Sequence, residues 1–378
     1  MVQLSVWEKE SFYSAKEVII IGGGFVGLWS AYYLKKTNPR LSVLIVDRGI
    51  IPTGASTRNA GFACFGSYTE LIADELRMGE EKMLELVELR YKGLKKIRKV
   101  FSDAKIDYEG TGGYELIINN PDQNLNTLRS SIDRLNQSLR QALGKEKTFH
   151  LNDSKISAFG FSGIDHLIEN RQEGQLHPGK LCQGLIQLVQ SLGVTVLPGI
   201  EITQIERTTD TISLHTSLGF KLIADRVLIC TNAYAKQLLP GLDLEPARGQ
   251  VLVTSEIPHI PFKGSFHFNE GYYYFRNLGH RVLMGGARNT AFEQEHTFEM
   301  QTSEPIQQEL ENFLRNIVLP AKTFTIDSRW SGIMALGVEK SPLASEWEPG
   351  IFYAVRMGGM GVALAPEIGK IMARKMMN

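Results

Sequence analysis

The chain has 378 residues, enough for two domains with separate cores, and its 41 Lys+Arg balance 41 Asp+Glu. Zero net charge without a basic block argues against a nucleic-acid partner. Cys64, Cys182 and Cys230 stand far apart with no C-x-x-C, which excludes a redox disulfide of that type and a cysteine zinc site and suits thiols kept reduced in a cytoplasm.

Met1 to Lys16 contains Glu8, Lys9 and Glu10 and lacks the basic start and apolar core of a signal peptide, so a cytoplasmic location is expected. Val18 to Leu34 then runs without a charge. A transmembrane helix needs about 20 apolar residues, and Gly22 to Gly24 would weaken it at its middle. The stretch reads better in two halves, a β-branched buried strand Val18 to Ile21 and a helix Phe25 to Leu34. Between them Gly22-Gly23-Gly24-Phe25-Val26-Gly27 fits G-x-G-x-x-G. Gly22 would allow the tight turn, Gly24 the approach of a pyrophosphate, and Gly27 close packing of helix on strand. After Asn38-Pro39 a second buried strand, Leu41 to Val46, ends in Asp47, the acid expected to hold a ribose. The β-α-β fingerprint predicts a dinucleotide site.

Further along, a helical region is expected from about Tyr68 to Val100, a strand from Tyr114 to Ile118, and a polar helix from about Pro121 to Leu143. A helix from Pro178 to Leu192, a strand Val194 to Leu197, a hairpin around Leu218-Gly219-Phe220 and a buried strand Asp225 to Cys230 follow. After Pro240 the texture turns β-rich, interrupted by an acidic helix from Glu304 to Val318, before a last strand Ile351 to Val355 and a glycine turn into a helix. The pattern predicts an α/β nucleotide-binding domain from residues 1–105, 157–240 and 328–378, interrupted by a second α+β domain on an antiparallel sheet from residues 106–156 and 241–327.

Two more segments bear on a cofactor. Met357-Gly358-Gly359-Met360-Gly361-Val362 repeats the strand, glycine turn and helix device, and its helix dipole would stabilise negative charge such as that of a reduced flavin. Thr53-Gly54-Ala55-Ser56-Thr57-Arg58-Asn59-Ala60-Gly61-Phe62 brings small residues, hydroxyls and an arginine, which suit approach to a second phosphate.

The trio GGGFVG, GASTRNAGF and MGGMGVALAP resembles the D-amino-acid oxidase, glycine oxidase and sarcosine oxidase superfamily of FAD enzymes, the DAO family, and within it most the γ-glutamylputrescine-oxidase-like amine-oxidising branch. Looser matches at Gly174 to Pro178, Thr231 to Ala235, Arg248-Gly249-Gln250, Tyr272 to Gly285 and Trp330-Ser331-Gly332 carry the resemblance over nearly the whole chain. It implies a Rossmann-like FAD-binding domain of GR2 type beside a substrate-binding domain. By that resemblance Gly22, Gly24, Phe25, Val26 and Gly27 would hold the FAD pyrophosphate, with Asp47 and Arg48 at the adenosine ribose. Ala55, Ser56, Thr57, Arg58, Asn59, Ala60 and Gly61 would line the phosphates and flavin, Thr231 and Asn232 the dinucleotide, and Gly332, Gly358, Gly359, Met360, Gly361 and Val362 the flavin ring and ribityl chain. No second strand-bound G-x-G-x-x-G offers a dock for NAD(P)H, so the substrate itself is expected to reduce the flavin.

On the substrate side, Tyr272, Tyr274 and Arg276 would share one strand face as candidate catalytic residues, with Arg248, Arg288 and Arg329 as further cations for a carboxylate. Glycine oxidases carry a carboxylate-clamping arginine two residues after the glycine of W-x-G, and here that position is Met334. Sarcosine oxidases place a lysine over the flavin for reaction with oxygen, whereas Val282, Leu283 and Met284 supply none. The loss points to an amine without an α-carboxylate or to a clamp moved to Arg276, Arg288 or Arg58. None of the histidines, His177 and His267 among them, forms a metal-binding spacing, and no metal is expected.

These readings predict an FAD enzyme that oxidises a C–N bond of a small-molecule amine or amino acid, with oxygen or another carrier as electron acceptor. A 2-hydroxy acid or polyol dehydrogenase on the same scaffold, or a non-catalytic flavin-binding subunit, stand as alternatives.

Overall fold

The computed structural model describes residues 3–118 and 125–378, so the expected start of the polar helix at Pro121 lies outside the described residues. The chain folds around two large sheets. In the first, strands run in the order Leu343–Glu348, Ile351–Val355, Lys221–Ile229, Lys16–Ile21, Val43–Asp47 and Thr195–Pro198, with Ile202–Arg207 and Ile212–Thr216 attached as an antiparallel extension. From Ile351–Val355 to Thr195–Pro198 all neighbours are parallel. Parallel strands covered on both faces read as near-continuous apolar runs, and Val18, Ile19 and Ile20 are fully buried.

Helices Phe25–Thr37, Glu80–Val100 and Gly361–Met377 cover one face of this sheet, sharing a core that includes Leu28, Trp29 and Met372. Their packing is close enough that a Cβ on Gly369 would lie 2.8 Å from the Ser30 amide. The expected helical region from Tyr68 is two helices, Tyr68–Met78 and Glu80–Val100, divided at Gly79, whose φ of +85° suits glycine alone. His177 caps helix Pro178–Ser191, its Nδ1 accepting from the Lys180 amide at 3.3 Å.

The second sheet runs Ile326–Leu336, Glu245–Thr254, Arg281–Gly286, Tyr273–Leu278, Ser265–Phe268, Gly113–Ile117, His166–Asn170 and Phe149–Leu151. It is antiparallel except where Ser265–Phe268 lies parallel to Gly113–Ile117. Two stretches expected in the nucleotide-binding domain belong to this sheet instead, His166–Asn170 and Ile326–Leu336. The reason is long-range pairing, ten residues of Glu245–Thr254 against Ile326–Leu336, which local pattern does not encode. Helix Glu304–Phe313 and a following π turn Leu314–Val318 cover its outer face over an aromatic core in which Phe266 and Phe275 stack at 4.6 Å. Among the described residues no helix is long and apolar enough to cross a membrane, and Val18 to Leu34 is a strand, a turn and a helix.

Candidate active site

One cavity of about 450 Å3 lies between the sheets, within the usual range of small-molecule sites. Its nucleotide end is built on the tips of Lys16–Ile21 and Val43–Asp47. The Gly22 amide donates to the Val46 carbonyl at 2.8 Å, and a φ of +111° turns the chain under the following helix. A Cβ on Gly27 would come within 2.1 Å of the Gly22 oxygen, so Gly27 packs helix on turn and stands outside the cavity, while Gly22, Gly24, Phe25 and Val26 line it. Asp47 lines it too, accepting from the amides of Gly23 at 2.8 Å and Gly49 at 2.9 Å. Burial raises its carboxyl, against the pull of those two N–H groups. Beside it the exposed Arg48 lies 3.9 Å over the Tyr234 ring, a planar stack at the cavity edge.

Across from the helix N-terminus, Ser56 Oγ accepts from the Phe25 amide at 2.9 Å. Ala55, Arg58, Asn59 and Ala60 line the cavity with it, but Thr57 and Gly61 do not. The Thr57 hydroxyl donates to the Pro52 carbonyl, and Gly61 is backed against the Leu176 oxygen, 2.3 Å from where a Cβ would stand. Both therefore shape the loop from behind. Thr231 Oγ1 and Asn232 Oδ1 are buried in the lining without a partner. Buried polar atoms left unpaired cost about 1–3 kcal/mol each, which a bound polar ligand would relieve.

The far turn follows strand Ile351–Val355. Arg356, Gly358 and Gly359 all have positive φ, and Gly358 to Val362 line the cavity where helix Gly361–Met377 begins. Arg356 is held by the Ser341 carbonyl at 2.9 Å and by Asp243, which fixes a left-handed backbone at a non-glycine residue. Gly332 faces the loop of Arg58, and Met334 stands 3.6 Å from where a Cβ on Gly359 would be.

Beyond Met334 the cavity widens into a chamber lined by Phe62, His267, Tyr272, Tyr274, Gly249 and Arg288. The Phe62 ring meets His267 edge-on at 5.1 Å and Tyr274 at 5.8 Å. The Tyr274 hydroxyl has no hydrogen-bond partner among the described residues, and burial pushes it up to about 12. His267 is buried with Nε2 unpartnered, and burial lowers it to about 4 despite Glu70, leaving a neutral imidazole at neutral pH. Beside it Lys340 pairs with Glu70 at 2.8 Å and Asp74 at 2.7 Å. Burial would raise the Glu70 carboxyl, but Lys340 and Arg90 overcome it and hold it at about 2.

Of the cations expected on the substrate side, Arg276 needs correction. It shares the strand with Tyr274, yet its Nη1 donates to the carbonyls of Ala60, Gly61 and Leu176 at 3.2, 3.0 and 2.8 Å, and it does not line the cavity. It pins the loop that backs the cavity. Arg248 is buried against Glu295 at 2.7 Å, Arg329 is held by Gln307 and Glu311, and Arg58 donates to the Thr53 and Ser331 carbonyls at 2.9 and 2.8 Å. Only Arg288 faces the chamber without such a partner among the described residues. Phe62, His267 and the Glu70–Lys340 pair escaped the sequence reading; only strand alternation around His267 could have flagged one of them, and the strand Ser265–Phe268 was not recognised.

The family model for FAD dependent oxidoreductase matches residues 17–375. The chain belongs to this family, DAO. Its cofactor is FAD, and the cradle described above has the glycines, the buried acid and the orphaned polar atoms to receive it. Among curated relatives, γ-glutamylputrescine oxidoreductase of Escherichia coli is 23% identical over 375 residues, covering 94% of this chain and 82% of that one. Glycine oxidase of Bacillus subtilis is 20% identical over 368 residues, covering 96% and 93%. Among solved structures, L-proline dehydrogenase from P. horikoshii has a TM-score of 0.76 at 17% identity and covers 96% of this chain and 93% of its own. Iminodiacetate oxidase from Chelativorans sp. BNC1 has the same TM-score at 19% identity, covering 95% of each. These likenesses show the fold, a Rossmann-like FAD-binding domain with a second domain.

Proposed function

We propose that this FAD-dependent oxidoreductase oxidises the C–N bond of a small amine or amino acid. The observation that carries the reading is a single cavity that joins both glycine turns to a chamber of aromatic and apolar walls. FAD, when bound, would supply the two-electron acceptor for a hydride from the substrate carbon. The chain then has to present the reacting C–H bond, keep water out and accept hydrogen bonds from the substrate nitrogen. Met334, Phe62 and Tyr274 make an apolar wall at the inner end of the chamber, and Gly249 leaves room there, its Cβ position lying 3.4 Å from Met334 Cε. A neutral His267 and the Tyr274 hydroxyl are the acceptors available to an amine N–H. Loss of the hydride and of one N–H proton leaves an imine, which water converts to a carbonyl compound and the freed amine.

The γ-glutamylputrescine oxidoreductase and glycine oxidase relatives support an amine or amino acid over other reductants. An anaerobic panel of amines, amino acids and 2-hydroxy acids tests it on the yellow holoprotein. Bleaching of the flavin absorbance by amines or amino acids is expected, and peroxide measured on return to air tells oxygen from another acceptor. Bleaching by hydroxy acids alone would replace this reading with C–O oxidation.

A further inference from the structure

The resemblance to glycine oxidases implies a carboxylate-clamping arginine at position 334, where this chain has Met, so an anionic substrate would need a cation elsewhere. Arg58, Arg248 and Arg329 donate to fixed partners in the fold, and Arg276 to backbone carbonyls. Arg288 does not. It follows strand Arg281–Gly286 through Ala287, whose φ of +58° and amide bond to the Tyr272 carbonyl at 2.8 Å fix where the chain leaves the sheet. Its guanidinium lies 4.8 Å from the Phe292 ring centre and 6.0 Å from that of Tyr272, and it lines the chamber without a hydrogen bond or ion pair among the described residues. The nearby acid that could neutralise it, Glu295, is already bound by Arg248 at 2.7 Å and Gln250 at 2.9 Å.

We propose that Arg288 binds an anionic group of the substrate, so that this enzyme acts on a carboxylate-bearing amine, held from the Tyr272 side of the chamber rather than from the Met334 position. The guanidinium fork matches two carboxylate oxygens, and ring stacking on one face fixes its plane while leaving its N–H edge for a ligand. Partial removal from water lowers the guanidinium's affinity for its proton and strengthens its attraction for a carboxylate. An amino acid or N-substituted amino acid is therefore the preferred reductant, and the same molecule without its carboxylate a poor one. The choice of a C–N bond rests on the function proposed above; the anion site itself does not.

The test uses the holoenzyme with its FAD, titrated with propionate and with the uncharged, equally shaped propionamide, following the flavin absorbance and calorimetric heat. The wild type is expected to prefer propionate. In Arg288→Gln propionate should weaken by about tenfold to hundredfold, the loss of charge-assisted hydrogen bonds. Propionamide should weaken far less, by about fivefold at most, since its single neutral carbonyl accepts one N–H and offers neither a charge nor a second oxygen to the fork, and FAD content should not change. Arg288→Lys keeps the charge without the fork and should fall between the two. In anaerobic half-reactions, reduction by an amino acid slows in Arg288→Gln while reduction by its decarboxylated amine does not. Equal affinity of the wild type for both probes, or unchanged propionate binding in Arg288→Gln, overturns the proposal. So does loss of FAD from both variants, which would put Arg288 on the cofactor. If Arg288→Gln alone loses FAD, the intermediate propionate affinity of Arg288→Lys decides. A wild type that binds propionate through Arg288 but is bleached by no amine refutes the C–N reading and leaves the anion site standing.

Discussion

The two ends of the cavity are made of different materials. At the nucleotide end Gly22 and Gly24 bring main chain to the surface beside Ala55 and Ser56, and the Asp47 carboxylate is fixed by the amides of Gly23 and Gly49. At the chamber end the surface is side chain, with Tyr274, His267, Met334 and Arg288 standing where long-range pairing puts them. Backbone surfaces tolerate no added atom, because the gap a ligand fills is the gap a Cβ would take. Side-chain surfaces tolerate exchange, and their chemistry is decided by which groups remain unpaired. The nucleotide end should therefore fail abruptly when altered and the chamber end by degrees.

The largest effect should follow Gly27→Val. Its first added carbon would sit 2.1 Å from the Gly22 oxygen, between two main chains that are both fixed. We expect a loss on the order of 4 kcal/mol or more of holoprotein stability, and flavin absorbance per polypeptide close to zero. A variant that binds FAD normally would break the contrast at its strongest point. Next is Arg276→Met, which strips the donor from four backbone carbonyls, those of Asn277, Ala60, Gly61 and Leu176. The orphaned acceptors should cost about 3 kcal/mol and free the loop behind Asn59 and Ala60, seen as a lower Tm and faster FAD release. If Arg276 were a substrate ligand instead, Tm and FAD release would stay put and only substrate affinity would move.

That division also explains what could be read from the chain alone. Gly22, Gly24, Asp47 and Gly358 to Val362, which all line the cavity, stand out in the sequence because a tight turn from strand into helix favours glycine at fixed spacing. Of the second sheet, Gly113–Ile117, Glu245–Thr254, Tyr273–Leu278 and Arg281–Gly286 fall on segments that read as β-rich, whereas the short Ser265–Phe268 and Phe149–Leu151 do not stand out in that way. The pairing of Glu245–Thr254 with Ile326–Leu336 was not legible, nor was the membership of His166–Asn170, because both join segments distant in the chain. Arginines were the least legible. Arg276 and Arg288 look alike in sequence, and only the carbonyls around one and the rings beside the other tell them apart.

Glu173, buried and outside the cavity lining, carries a third test, smaller and dependent on pH. Burial pushes the Glu173 carboxyl up to about 8, against the N–H groups of Phe65 and Gly66 that favour its charge. Below the ordinary carboxylate value both folded and unfolded states are protonated and Glu173 adds no pH dependence. As pH rises from about 4.5 towards 8 the unfolded chain ionises while the folded one keeps its proton, so stability falls across that window. Glu173→Gln removes the slope: we expect equal stability to the wild type near pH 4 and about 2 kcal/mol more near pH 8, by denaturant unfolding of the holoprotein. A parallel pH profile for the two proteins would mean that the site is wet and the acid ordinary. At the nucleotide end burial moves the Asp47 carboxyl in the same direction, against the amides of Gly49 and Gly23.

The smallest effect separates two arginines of the cavity lining that lie over aromatic rings. Arg48 is exposed and stacks on Tyr234 at 3.9 Å, beside Asp47, whereas Arg288 stacks on Phe292 and faces the chamber. An exposed cation over a ring contributes about 0.5–1 kcal/mol, so Arg48→Leu should weaken FAD by about twofold to fivefold. Propionate binding to the loaded enzyme should not change, because Arg48 borders the nucleotide end. Arg288→Gln should do the reverse, leaving FAD in place and losing the carboxylate. Crossed outcomes of this kind would locate the adenosine and the substrate at opposite ends of one cavity. If both substitutions weakened FAD alike, Arg288 would belong to the cradle, and the backbone and side-chain ends would not divide where Met334 meets Gly359.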